Sequence, residues 1–211
     1  MFEYVYDMVS EKPVIKEFDI ADATAVSLGE LVRITEGKVV AGGSDYTTPY
    51  VGATAESKAA NDGKVRIKVY CSPFAVFAVS PIRTTVSATP SATVWTDSVV
   101  LLNTTSDKAN GGYLVIKGKA AAATGTFAVG DKKAITDSAT NTLTSTFAGN
   151  TTVGDYGDFY PPIGAVGSTA SATNALTLAW AATSGTALEV VDHDFTREKV
   201  HVMVKLHQFS N

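Results

Sequence analysis

The sequence predicts an all-β protein, and three observations carry that expectation. Charged residues are only 18% of the 211-residue chain and hydrophobic ones 45%, with Thr, Ser, Ala and Gly prominent in the rest. Exposed helices need Glu, Lys, Arg and Gln on their wet face, so this composition favours strands and turns. Apolar and polar residues alternate with a period of two in several short segments, and Gly-containing turn sequences separate those segments.

Residues 1–22 read as an extended N-terminal arm, in which Phe2, Tyr4, Tyr6 and Met8 alternate with Glu3, Val5 and Asp7 until Pro13 breaks the pattern. A short extended stretch at Val26-Ser27 leads to Gly29-Glu30. Strand 31–35, the turn Glu36-Gly37 and strand 38–41 then form a β-hairpin signature. Residues 42–49 read as a loop, 50–53 as extended again, and 55–61 as a short helical turn ending at Asp62-Gly63. In 64–69, Val65, Ile67 and Val69 share one face and Lys64, Arg66 and Lys68 the other, the signature of a half-buried strand. A further strand is expected at 74–79. Residues 81–96, rich in Thr, Ser, Ala and two prolines, read as a surface connector. Strands are expected at 97–102 and 113–119 around the turn Asn110-Gly111-Gly112. The last strand presents Val200, Val202, Val204 and Leu206 on one face, with His201, Met203, Lys205 and His207 on the other.

The second half echoes the first. Leu28-Gly29-Glu30-Leu31-Val32-Arg33-Ile34 returns as Val129-Gly130-Asp131-Lys132-Lys133-Ala134-Ile135, Pro49-Tyr50-Val51-Gly52-Ala53 as Pro161-Pro162-Ile163-Gly164-Ala165, and Val65-Arg66-Ile67-Lys68-Val69 as Leu176-Thr177-Leu178-Ala179-Trp180. Strand 74–79 has its counterpart in 188–191. The common order predicts an internal duplication. The expected organisation is therefore an arm (1–22), a first β-domain (23–80), a linker (81–96) and a second β-domain with the C-terminal strand (97–211).

Net charge is −4 with a pI near 5.3, which provides no global field for nucleic acid or an anionic membrane. The single Cys71 allows no intrachain disulfide. The acidic N-terminus does not read as a signal peptide, and no apolar run approaches the ~20 residues of a spanning helix. Synthesis in the cytosol is expected.

Catalytic motifs are missing from the sequence: there is no nucleophile elbow, phosphate loop, dinucleotide fingerprint or His-Glu-x-x-His. Cys71 reads as a packing residue. His201 and His207 lie six residues apart on one strand, ~20 Å at the usual rise, too far to share one metal. Asp155-Tyr156-Gly157-Asp158 reads as a tight turn in preference to a cation cap, because the further ligands of a calcium loop are missing. The Lys64, Arg66 and Lys68 face carries no stacking aromatics and points to protein contact, not nucleic acid. No enzyme activity, cofactor or metal is expected.

Gly29-Glu30-Leu31-Val32, Gly37-Lys38-Val39-Val40, Val51-Gly52-Ala53-Thr54-Ala55-Glu56 and Gly63-Lys64-Val65-Arg66-Ile67 follow one another within residues 24–80. In this order they resemble the head decoration, or capsid cement, proteins of tailed bacteriophages, with a looser likeness over 125–192. The resemblance implies small β-barrel or tulip-like domains with an N-terminal arm, seated on the outer surface of the virion capsid, often as trimers. The implied partners are the major capsid protein and further copies of the chain. Phe2, Tyr4, Tyr6 and Met8 of the arm, with Lys64, Arg66 and Lys68, are the expected partner-binding residues. The alternative reading is a carbohydrate-binding or adhesion β-module of a phage fibre or head surface, using Tyr46, Tyr50, Trp95, Tyr156 and Tyr160.

Overall fold

The computed structural model describes residues 1–42, 49–88, 91–97, 108–121, 125–139, 141–169, 178–180, 188–205 and 207–209. All regular structure among them is β. Contacts divide the chain into two compact units. The first comprises the described residues of Met1–Ser80, Val166–Ala179 and Ser184–Asn211, and the second those of Pro81–Ala165 and Trp180–Thr183.

The first stretch of the chain supplies β1 (Glu3–Asp7), β2 (Ile15–Asp19), β3 (Leu31–Thr35), β4 (Lys38–Ala41), β5 (Gly52–Thr54), β6 (Arg66–Tyr70) and β7 (Ala75–Val79). The second unit contains β8 (Ile82–Thr85), β9 (Val94–Thr96), β10 (Tyr113–Gly118), β11 (Lys132–Ala134), β12 (Asp137–Ala139), β13 (Thr142–Thr144) and β14 (Tyr156–Tyr160). Strands β15 (Val166–Thr169), β16 (Leu178–Trp180), β17 (Leu188–Asp194) and β18 (Lys199–Val204) complete a six-stranded sheet with β1 and β7.

In the first unit, β2-β6-β5-β3-β4 form a five-stranded sheet. It packs around a cluster of Ile20, Val26, Val32, Val39, Val51, Ile67, Val69 and Cys71. The β-branched side chains that dominate this cluster suit a pleated, half-buried surface. A single parallel bridge, Ile20 to Val39, brings the ends of the edge strands together; the sheet curls but its ladder stays open. The hairpin expected at Glu36-Gly37 is present: both residues have positive φ (51° and 77°), the conformation of a two-residue turn that matches strand twist. Strand β6 begins at Arg66, so Val65 lies outside it and is 58% exposed. Residues 55–61 form no helix. There the fully buried side chain of Lys58 ties two loops together, donating to the carbonyls of Asp22 (2.7 Å) and Ala59 (2.9 Å) and pairing with Asp62 (3.0 Å). A buried ammonium needs such partners to offset its desolvation.

The six-stranded sheet runs β1-β7-β18-β17-β15-β16. Strand β7 is flanked on both sides and buried throughout, which its run Ala-Val-Phe-Ala-Val permits. Val200, Val202 and Val204 form the buried face expected for β18. His201 and His207, expected on the opposite, polar face, are buried as well. Leu206 lies outside the described residues.

The second unit has a four-stranded sheet, β11-β10-β14-β8, and a three-stranded sheet, β12-β13-β9. Trp95, Phe127 and Phe147 pack together in its core. Residues 81–96 are not a surface connector. They contain β8 and β9, and Ile82, Val86 and Trp95 are buried. Trp95 Nε1 donates to Thr84 Oγ1 (3.1 Å), which donates to Asp97 Oδ2 (2.8 Å). Threonine, taken as a loop residue, here acts as a β-former. Of the strand expected at 97–102, only Asp97 lies within the described residues.

Among the described residues, strand pairing does not repeat between residues 24–80 and 125–192. Strand β3 pairs with β4 and β5, but β11 pairs with β10. Tyr50, Val51 and Ala53 are fully buried at β5, whereas their echo Ile163 is 63% exposed in a turn. Of the echo 176–180, residues 176 and 177 lie outside the described residues. One β-turn does recur. Glu30 N–H donates to Ser27 O (3.2 Å), Asp131 N–H to Ala128 O (3.1 Å) and Asp155 N–H to Thr152 O (2.9 Å), each across a Gly of positive φ. In all three the acidic side chain accepts a hydrogen bond from the first residue's N–H, at 2.8, 3.1 and 2.7 Å. The sequence echo thus marks a repeated turn and not a repeated pairing scheme.

Candidate interaction surface

Residues 1–22 do not stand free of the body. Strand β1 pairs antiparallel with β7 and forms the edge of the six-stranded sheet, and β2 pairs with β6. The expected alternation also fails within β1. Tyr4 lies opposite Phe77 but Tyr6 opposite Val76, so Val5 is a bulged residue. A bulge reverses the faces of the residues beyond it and blunts an edge strand against unwanted pairing. Tyr4 therefore turns toward the five-stranded sheet, stacking on Tyr70 at 4.9 Å and meeting Phe77 edge-on at 6.3 Å. Burial, with Asp7 and Tyr70 adding to it, pushes its hydroxyl pKa up. Tyr6 faces the other way, edge-on to His201 at 6.5 Å, and remains 43% exposed. Phe2 is buried, its N–H donating to Gly29 O (2.9 Å), so it is not part of an exposed aromatic row. Met8 is 59% exposed beside Phe74, whose carbonyl accepts its N–H at 3.1 Å.

The basic residues of the adjacent sheet are engaged within the chain. Lys64 pairs with Glu56 at 2.6 Å, and Arg66 reaches Glu17 and Asp19, each at 3.5 Å. Lys68 lies opposite Glu17 in the β2–β6 register. The hydrogen bond from Lys64 holds the Glu56 carboxyl below its ordinary range. This face is an interleaved ladder of both signs, not the cationic surface that Lys64, Arg66 and Lys68 suggest when read alone. The sequence signal for it was present in Glu17 and Asp19, but only pairing of β2 with β6 brings those acids alongside.

Other residues singled out by type have structural roles. Cys71 is buried in the core, and burial pushes its thiol pKa up. Asp155 is fully buried and accepts from Thr152 N–H and, at 2.7 Å, from Ala120 N–H. Asp158 accepts from Arg83 Nε at 2.6 Å. Among the described residues no group of three or more His, Cys, Asp or Glu is arranged to hold a metal. Of the aromatics proposed for glycan binding, Trp95, Tyr50 and Tyr160 are buried, Tyr156 is 37% exposed beneath Arg83, and Tyr46 lies outside the described residues. Burial pushes the His207 imidazole below its ordinary value of 6.5.

Apolar exposure is unevenly distributed. Seven of the fifteen exposed large hydrophobic residues among those described fall in residues 1–15, including Val5, Tyr6, Met8, Val9 and Ile15. A second class escaped the sequence reading. Leu28, Val129, Val153 and Ile163, each preceding the positive-φ glycine of a turn, are 48 to 63% exposed. The signal for these is an aliphatic residue followed by Gly at a turn. Compared with known proteins, the chain matches no family model, no curated protein and no solved structure.

Proposed function

We propose that this chain is a structural decoration protein of a tailed-phage head, binding the outer surface of the expanded capsid and bridging neighbouring major capsid subunits. The observation that carries the reading is the concentration of exposed apolar side chains in residues 1–15, on and beside strands β1 and β2, which are paired into the sheets of the first unit. Clustered apolar exposure marks a contact surface for another protein. The curled five-stranded sheet of residues 15–70 supports the same reading, since it falls on the motifs that resemble the decoration family, where that resemblance implies a small β-domain.

The action is mechanical, with no chemistry performed. A protein spanning two capsid subunits adds its own contacts to those that internal DNA pressure must break. Each site need only be weak, because binding across a lattice multiplies many contacts, and assembly into trimers multiplies them again. The test is co-sedimentation of the purified chain with expanded and unexpanded heads built from the major capsid protein of the same genome. Saturable binding to expanded heads, with a raised temperature of head disruption, is expected. Failure to bind across several salt and pH conditions ends the reading.

A further inference from the structure

Two cavities of the first unit open on either side of Glu3 and Tyr4, and their linings differ in kind. One, of about 170 Å³, is lined by Met1, Phe2, Leu28, Gly29, Thr54 and Tyr70 besides the shared pair. Phe2 forms a buried part of its wall, while Met1 and Leu28 are 50% and 48% exposed. The other, of about 190 Å³, adds Val5, Ala78, Arg197, Lys199 and His201 to Glu3 and Tyr4. Sites for drug-sized ligands run to roughly 300–1,000 Å³, so each of these has room for one side chain and not for a cofactor.

Their electrostatics indicate what that side chain is. The first cavity is lined mainly by apolar groups, with the Met1 ammonium and the Glu3 carboxylate as its charges. The second cavity sets two permanent cations and an imidazole against that same carboxylate. Arg197 is shared with Asp194 at 3.8 Å, and His201 Nδ1 is buried without a hydrogen-bond partner, with Asp192 at 3.8 Å. Lys199 has no carboxylate within ion-pair distance among the described residues. An incoming carboxylate would meet Lys199 and Arg197. The Glu3 and Asp7 ends of β1 also argue against a second copy of the strand: antiparallel self-pairing about Val5 would set Glu3 opposite Asp7, like charges face to face.

We infer that the two cavities form one bipartite docking site for an extended segment of a protein partner, with an apolar anchor in the first and an adjacent Asp or Glu side chain in the second. An anchor residue filling a pocket beside a charge complement is the usual construction of a binding hot spot. The inference rests on the proposed function only in supposing that the partner belongs to the capsid.

The test uses the full chain, ¹⁵N-labelled, titrated with the capped peptide Gly-Thr-Val-Leu-Glu-Thr-Gly and with two relatives in which Leu becomes Ser or Glu becomes Lys. Saturable shifts at Tyr4, Leu28 and Lys199 are expected with the parent peptide. Each change should weaken binding at least about five-fold, a loss of roughly 1 kcal/mol. Lys199→Glu should weaken the parent peptide and rescue the Lys-bearing one, a charge reversal that a merely structural role for Lys199 would not produce. Leu28→Ser, at an exposed position, should lower affinity without altering the thermal midpoint. No saturable shift up to roughly 5 mM peptide, where a millimolar site is mostly filled, overturns the inference, as does equal affinity for all three peptides. Head binding by both variants at wild-type strength sinks this site while leaving the decoration reading intact; peptide binding without head binding does the reverse.

Discussion

The turn Ser27-Leu28-Gly29-Glu30 in the first unit and the turn Ala128-Val129-Gly130-Asp131 in the second are built alike and surrounded differently. Each has an exposed aliphatic residue, a glycine of positive φ and an acidic side chain that accepts the first residue's N–H. Around Gly29 the chain is crowded: a Cβ there would overlap the carbonyl of Phe2 and the side chain of Met1. Around Gly130 a Cβ would meet nothing within 4 Å. Strand β3, leaving the first turn, pairs with β4 and β5; β11, leaving the second, pairs with β10. Short-range chemistry makes the turn. Which strand receives its outgoing chain depends on distant residues.

The sharpest way to test this contrast is Gly29→Ala. It combines a left-handed conformation that L-residues disfavour with an overlap against backbone, and should destabilise the first unit by about 3 kcal/mol or more. Chemical denaturation should record that loss, with hydrogen exchange rising first in β1, whose start is tied to Gly29. A loss under about 1 kcal/mol would show that the N-terminal strand is not held there.

Next in size is Asp155→Ala, at the third turn of the same kind. Its fully buried carboxylate serves two backbone N–H groups, and removing it leaves both part-buried donors unmet, about 2 kcal/mol in thermal or urea unfolding. Gly130→Ala isolates the conformational term alone and should cost about 1 kcal/mol. If it equals Gly29→Ala, the crowding at Phe2 is irrelevant and the comparison breaks.

The smallest effect concerns Asp131. The hydrogen bond from Ala128 N–H, with Lys133 at 3.3 Å, holds its carboxyl below the ordinary 3.8. A depressed folded value means that the contribution is present above about pH 4 and fades as pH falls through the lowered value. Carboxyl NMR titration should find Asp131 below 3.8, and Asp131→Asn should leave the midpoint of thermal unfolding at pH 7 nearly unchanged. A titration midpoint at or above 3.8 would remove the hydrogen bond from the account.

Much of the local structure was legible in the residues. Glu36-Gly37 between alternating runs announced its hairpin, and Val200, Val202 and Val204 announced a buried strand face. The candidate surface was legible only as a region. Phe2, Tyr4, Tyr6 and Met8 read as one alternating row, but the bulge at Val5 and the burial of Phe2 leave Tyr6 and Met8 as the exposed pair. Nothing in the residues of β1 announces a bulge that arises from pairing with β7, a strand far along the chain. Lys199 and Arg197 were not singled out, because their significance is their approach to Glu3.

By itself, then, the sequence determined the β class, the hairpin at Glu36-Gly37 and the alternation of unbulged strands such as β18, all of which depend on interactions between residues a few positions apart. Tertiary structure alone decided that β18 joins the first unit, that β1 is an edge strand, and that Lys64 and Arg66 meet acids of the same chain. The physical reason is that backbone hydrogen bonds between strands carry almost no sequence code. The choice among possible partners is made by which apolar faces can be buried together, and that is a property of the whole chain.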